Sequence, residues 1–82
     1  MAKPGPKTQT KSARAVLADN LRSLRAERQW SQEDLALECE LHRTFVAHVE
    51  REARNISLDN IEKLAKALHV PVHRLLEPEG NS

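Results

Sequence analysis

Arg43, Thr44, Ala47, His48 and Arg51 are spaced i, i+1, i+4, i+5 and i+8, which places them along one side of a helix. That side is rich in cations and hydrogen-bonding groups, as a helix laid into a DNA groove requires. An arginine in the first turn of such a helix can pair in bidentate fashion with guanine O6 and N7, and a threonine methyl can touch thymine. Arg54 and Asn55 follow the helix and are expected to contact phosphates. Other chemistry is poorly supported. Cys39-x-x-His42 with His48 gives three ligands at irregular spacing on a rigid pair of helices, a poor tetrahedral metal site. Cys39 reads as a buried apolar thiol; a redox switch would need it exposed and activated. No serine, histidine or carboxylate lies in a nucleophile elbow, metal motif or phosphate loop, and the chain has two glycines in all. Neither an enzyme nor a cofactor is expected.

The elements that must position these residues lie between Trp30 and Arg51. Ser31 can cap a helix, with Asp34 as the acidic half of a capping box and Trp30 and Leu35 as a hydrophobic staple. Leu35, Ala36 and Cys39 share its inner face. Leu41 and Val46 repeat the staple around a cap at His42, and Phe45, Val46 and Val49 turn inward. Two short helices joined by a tight turn make a helix-turn-helix. Upstream, a helix is expected over 13–28, with Val16, Leu17, Leu21 and Leu24 inward. Its Arg22, Arg25 and Arg28 are expected to be solvated or paired with Glu27 or with acids of the next helix, the alternative being that one of them touches a phosphate. Downstream, Ser57 caps a helix over 58–68, Ile56 and Ile61 form a third staple, and Ile61, Leu64, Ala65 and Leu68 form its buried stripe. Pro71 then opens a short fifth helix. The expected architecture is all-α, with five helices.

Ser-Gln-Glu-Asp-Leu-Ala, then Leu-His-Arg-Thr-Phe-Val-Ala-His-Val-Glu-Arg, then Arg-Asn-Ile-Ser-Leu-Asp-Asn-Ile-Glu-Lys-Leu-Ala-Lys-Ala-Leu resembles the Cro/phage-repressor (XRE-like) helix-turn-helix family. Pairing His-Arg-Thr-Phe with Arg-Asn-Ile-Ser-Leu-Asp-Asn-Ile most resembles controller proteins of restriction–modification systems. The likeness covers roughly residues 15–76. It implies a lambda-repressor-like DNA-binding domain, and a role for Gln32 in contacting the DNA backbone and supporting the recognition helix. A partial cap is the plainer role for that glutamine. The chain departs from the family at helix exits, where glycine is common: here the four places hold Gln29, Glu40, Glu52 and His69. A left-handed conformation there costs a non-glycine residue roughly 1 kcal/mol, so these turns are expected either to be strained or to differ in shape from the family pattern.

Length and charge set the remaining bounds. Eighty-two residues, 39% hydrophobic with one Trp, one Phe and no Tyr, allow one small domain whose core is aliphatic. Self-association would help stabilise it. No apolar run approaches a membrane span, no secretory signal is evident at the start, and a single cysteine excludes an internal disulfide framework. A cytoplasmic location is expected. Net charge is only +1, but residues 1–14 hold Lys3, Lys7, Lys11 and Arg14 without an acid, while the remaining chain has nine basic and twelve acidic residues, a net of −3. Residues 1–12 are expected to be a flexible basic arm, either a solubility tail or a tracker of DNA. The domain would occupy 13–77 and a frayed tail 78–82.

The function these residues imply is a sequence-specific transcriptional regulator that binds double-stranded DNA at a pseudo-palindromic operator as a homodimer. Val72, Leu75 and Leu76 in the fifth helix, with the end of the fourth, are the expected dimer interface; their other role would be to close the core. The alternative is a protein-interaction module of the same fold. Glutamates beside the third helix favour it, while Gln32, Arg43 and Thr44 together speak against it.

Overall fold

The computed structural model describes residues 12–53 and 55–78. Within them the chain is all-α: α1 (Ala13–Arg28), α2 (Gln32–Cys39), α3 (Arg43–Glu50), α4 (Leu58–Leu68) and α5 (Val72–Leu75). Three helix starts are set by serine hydroxyls that accept from backbone N–H groups. Ser12 accepts from Ala15, Ser31 from Asp34 and Ser57 from Asn60. The Asp34 carboxylate accepts in turn from the Ser31 N–H at 2.8 Å, completing the capping box. Ser12 therefore belongs to the domain as the cap of α1. His42 precedes α3 in extended conformation without a side-chain capping bond.

Each apolar stripe turns toward one core. Leu17, Leu21 and Leu24 of α1 meet Leu35, Ala36 and Cys39 of α2, Val46 and Val49 of α3, and Ile61, Leu64, Ala65, Ala67 and Leu68 of α4. The staple residues Trp30, Leu41 and Ile56 pack against this cluster, as does Phe45, which turns inward as expected and is half-buried. The fifth helix departs from expectation. Leu75 is completely buried in the core, Val72 is half-buried against it and Leu76 is 40% exposed. With Leu75 turned inward, Val72 and Leu76 are the two of the three expected apolar interface residues left for a partner.

Gln29, Glu40, Glu52 and His69 all adopt left-handed backbone, with φ of 59–60°. At each exit the N–H of that residue donates to the carbonyl three residues back, and the next N–H donates to the carbonyl five residues back, as in Trp30 to Arg25, Leu41 to Ala36, Ala53 to His48 and Val70 to Ala65. These are Schellman caps. Trp30, Leu41 and Val70 follow directly and pack on the core, so apolar contact holds turns that lack glycine. Of the two expectations, the exits therefore follow the left-handed one, with its backbone cost, and do not take a different shape.

The polar side of α1 fastens the other helices. Arg22 donates to the Glu50 carbonyl at the end of α3, and Arg28 to the Leu68 carbonyl at the end of α4. Cations at helix C-termini satisfy orphan carbonyls and complement the helix dipole. Asn20, fully buried, donates through Nδ2 to the carbonyls of Arg74, Leu75 and Glu77 at 3.3, 2.8 and 2.9 Å. That amide anchors α5 and the residues after it.

Candidate nucleic-acid interface

α2 and α3 must hold a fixed angle if α3 is to enter a groove, and the site begins with what fixes it. Glu50, the last residue of α3, is 4% exposed. Its carboxylate accepts from Arg25 Nε and Nη2, both at 2.8 Å, and from Gln32 Nε2 at 3.0 Å. Arg25 also donates through Nη1 to the Trp30 carbonyl, just before α2. One carboxylate thus joins α1, α2 and α3. Hydrogen bonding to Glu50, opposed by burial and aided by the carboxylate's charge, raises the Arg25 pKa above its ordinary value. Arg25 therefore pairs with an acid of α3. Arg22 pairs with Asp19 at 2.7 Å and Arg28 with Glu27 at 3.7 Å; the latter was the pairing expected from sequence.

Gln32 is half-buried at the first position of α2. With one amide hydrogen committed to Glu50, its second Nε2 hydrogen and its carbonyl oxygen can serve other partners. Its hydrogen bond to Glu50 links the start of α2 to the end of α3. The side-chain cap of α2 is Ser31, which accepts from the Asp34 N–H.

On α3, Arg43 and Thr44 are exposed in the first turn, Ala47 and His48 are half-buried, and Arg51 is exposed just past the end. Val46 and Val49 on the opposite side are core. The helix therefore presents its first turn outward while its apolar side anchors it. Asn55 is exposed beyond α3, and its Oδ1 accepts from Arg14 Nη2 at 2.7 Å. That bond leaves the Asn55 NH₂ as a donor for an anion. Arg54 lies outside the described residues, as do Lys3, Lys7 and Lys11 of the arm.

Sequence reasoning missed the roles of Glu50 and Asn20. Both were detectable by position: Glu50 is four residues beyond Val46, and Asn20 lies midway between Val16 and Leu24 on the buried stripe of α1. A polar residue on an apolar stripe must find a partner or incur a desolvation cost. Cys39 is buried and free, and burial is the main reason its pKa is raised, so it lacks the activated thiolate a redox switch needs. Among the described residues, no three His, Cys, Asp or Glu side chains gather as a metal site, and no helix is long and apolar enough to cross a membrane.

The helix-turn-helix family pattern matches residues 21–75. A hypothetical transcription factor of Neisseria meningitidis is 55% identical over 65 residues, covering 79% of this chain and 61% of that protein. Among solved structures, the hypothetical transcription factor NHTF from Neisseria superposes with a TM-score of 0.80 at 54% identity, over 82% of this chain and 75% of that one. Control protein C.BamHI of Bacillus amyloliquefaciens is 46% identical over 69 residues, covering 83% of this chain and 85% of that protein. The restriction–modification controller protein C.AhdI of Aeromonas hydrophila has a TM-score of 0.73 at 44% identity, over 76% of this chain and 94% of that one. These relatives are regulators rather than enzymes. With the family pattern spanning α2, α3 and their supports, the chain belongs to the helix-turn-helix family of the Cro/phage-repressor type and is similar to restriction–modification controller proteins.

Proposed function

We propose that this protein regulates transcription by binding a pseudo-palindromic operator as a homodimer, in the manner of a restriction–modification controller. The observation that carries this reading is the exposed pair Arg43 and Thr44 on the first turn of a helix whose other side, Val46 and Val49, is core. Arg43 reads guanine through O6 and N7 and Thr44 meets a thymine methyl. Gln32, Arg51, Arg54 and Asn55 hold phosphates, which fix register without carrying sequence information directly. Ala47 and His48 line the same side of α3 at shallower positions. Two copies joined through Val72 and Leu76 would set their recognition helices about one DNA turn apart. The compartment consistent with that role is the cytoplasm.

Selection from random DNA yields the operator, and titration of Arg43→Ala then tests the reading. A loss of ~1–3 kcal/mol on operator, with relaxed choice at one position per half-site, supports it. Equal losses on operator and random DNA would reduce Arg43 to a phosphate contact.

A second reading, a protein-interaction module, rests on Glu40 and Glu52, which are exposed at the two ends of α3. Their charges oppose an approaching phosphate backbone. A mobility shift on random DNA across a salt series separates the two readings, since only the DNA-binding protein shows salt-dependent retention.

A further inference from the structure

α1 fastens two distant helices at neighbouring points. Asn20 donates through Nδ2 to the carbonyls of Arg74, Leu75 and Glu77, at and just past the end of α5. Two residues on, Arg22 donates to the Glu50 carbonyl at the end of α3. Two residues of helix advance about 3 Å. The helix with Arg43 and Thr44 and the helix with Val72 are therefore both tied to one short stretch of a 16-residue rod.

α5 needs such a tie. It has four residues, and its N-cap Pro71 makes no side-chain bond. Leu75 is buried in the core, while Val72 is half-buried. A helix of one turn leaves its last carbonyls without intrahelical donors, and Asn20 supplies donors to them. The amide carries a cost in this place. Asn20 is fully buried, and its Oδ1 has no hydrogen-bond partner among the described residues. A buried acceptor left unsatisfied is destabilising. An apolar side chain would fill the position without that cost, so the donor end of the amide is what the position requires.

We propose that Asn20, together with Arg22, is a positioning residue that sets the distance between the recognition helix and the dimer contact, and through it the half-site spacing that the dimer accepts. The inference rests on the reading of the chain as a dimeric DNA-binding regulator joined through Val72 and Leu76. Two recognition helices enter successive turns of the groove only if their separation matches the duplex. One added base pair moves the half-sites apart by about 3.4 Å and rotates them by roughly a tenth of a turn. A dimer whose α3 and α5 are locked to one rod cannot follow that change, so the duplex must deform and affinity falls. With α5 released from α1, the dimer contact can pivot and absorb it.

The test is Asn20→Leu, which keeps the branching at Cγ and removes the donor and the orphan oxygen together. The probes are the selected operator, the same operator with one base pair inserted or removed between half-sites, and a lone half-site. Wild type should favour one spacing by about tenfold or more over its neighbours. In Asn20→Leu that preference should shrink to about threefold or less. The lone half-site should bind as it does to wild type, and the thermal midpoint should stay close. A merely structural role would weaken every duplex alike and keep the preference. Arg22→Met, at a side chain 46% exposed, loosens the other end of the link and should flatten the preference too. It answers the same question should Asn20→Leu fail to fold. A wild-type spacing preference retained by the folded variant would overturn the inference and leave the proposed function standing. A wild type that binds the full operator as a monomer, no tighter than the lone half-site, would instead remove the dimeric reading on which the inference rests.

Discussion

The Glu50 carboxylate accepts from both Arg25 and Gln32, so the end of the recognition helix is tied to the start of α2 through one buried acid. Removing one member of a buried ion pair leaves its partner charged and unpaired, which costs about 3–5 kcal/mol. The Arg25 side chain keeps 18% exposure against 3% for Glu50, so Glu50→Ala should fall at the low end of that range in urea denaturation. Replacing Arg25 and Glu50 together by Met should recover much of the stability, because no buried charge remains. Operator binding by the double variant should stay weak, since Gln32 loses its anchor. Wild-type binding by a stable double variant would make the node a stabilising device without a positioning role.

The apolar part of this fold was legible because it is local and periodic. The stripes of α1 and α4 and the serine caps at Ser31 and Ser57 depend on residues within a few positions of one another. The fastening by α1 was not legible, because periodicity reports burial and not the partner. Arg25 finds Glu50 across 25 residues and Asn20 finds the Leu75 carbonyl across 55. The candidate interface divides the same way. Exposure of Arg43 and Thr44 follows from helical phase, whereas the bond between Arg14 and Asn55 exists only once α1 has docked. A four-residue helix is too short for its pattern to fix which leucine faces inward, which is why Leu75 and Leu76 could not be told apart.

Those two leucines predict opposite outcomes. Leu75→Ala removes a fully buried side chain and should destabilise the fold by about 2–5 kcal/mol. Leu76→Glu, on the exposed neighbour, should leave the thermal midpoint of the isolated domain nearly unchanged. If α5 forms the dimer contact, sedimentation of Leu76→Glu should show monomer at concentrations where wild type is dimeric, and its operator affinity should fall. An unchanged sedimentation coefficient would place the contact elsewhere, with Leu58, 72% exposed at the start of α4, as the next residue to change.

The left-handed exits give a stabilising substitution. Gln29 and His69 hold φ of 59° and 60° without glycine, and each is exposed. Gln29→Gly or His69→Gly should relieve a backbone cost on the order of 1 kcal/mol, offset in part by the greater freedom of glycine in the unfolded chain. Chemical denaturation should show a net gain of a few tenths to about 1 kcal/mol at either position. Glu40→Gly should add a second effect, because it removes a negative charge beside α3. Its DNA affinity at low salt should rise, and the gain should shrink as salt screens the charge. A rise that persists at high salt would have to come from stability or shape.

Cys39 gives a prediction in which pH sets the sign. The thiol is 4% exposed between α2 and the core, and burial is the main cause of its raised pKa. Because the thiolate is the reactive form, alkylation of the native protein should be slow and should accelerate sharply once denaturant opens the fold. The folded state holds the thiol proton more tightly than the unfolded chain does. The resulting stabilisation is fully present below the ordinary thiol pKa of the unfolded chain and is lost as pH rises through the folded value. Chemical denaturation across the alkaline range should therefore show stability falling there in wild type. Cys39→Ala should lose some packing at neutral pH and show a flatter alkaline limb. Rapid alkylation of native protein at neutral pH, or an identical alkaline limb in the variant, would mean that the Cys39 proton is not held by burial in the core.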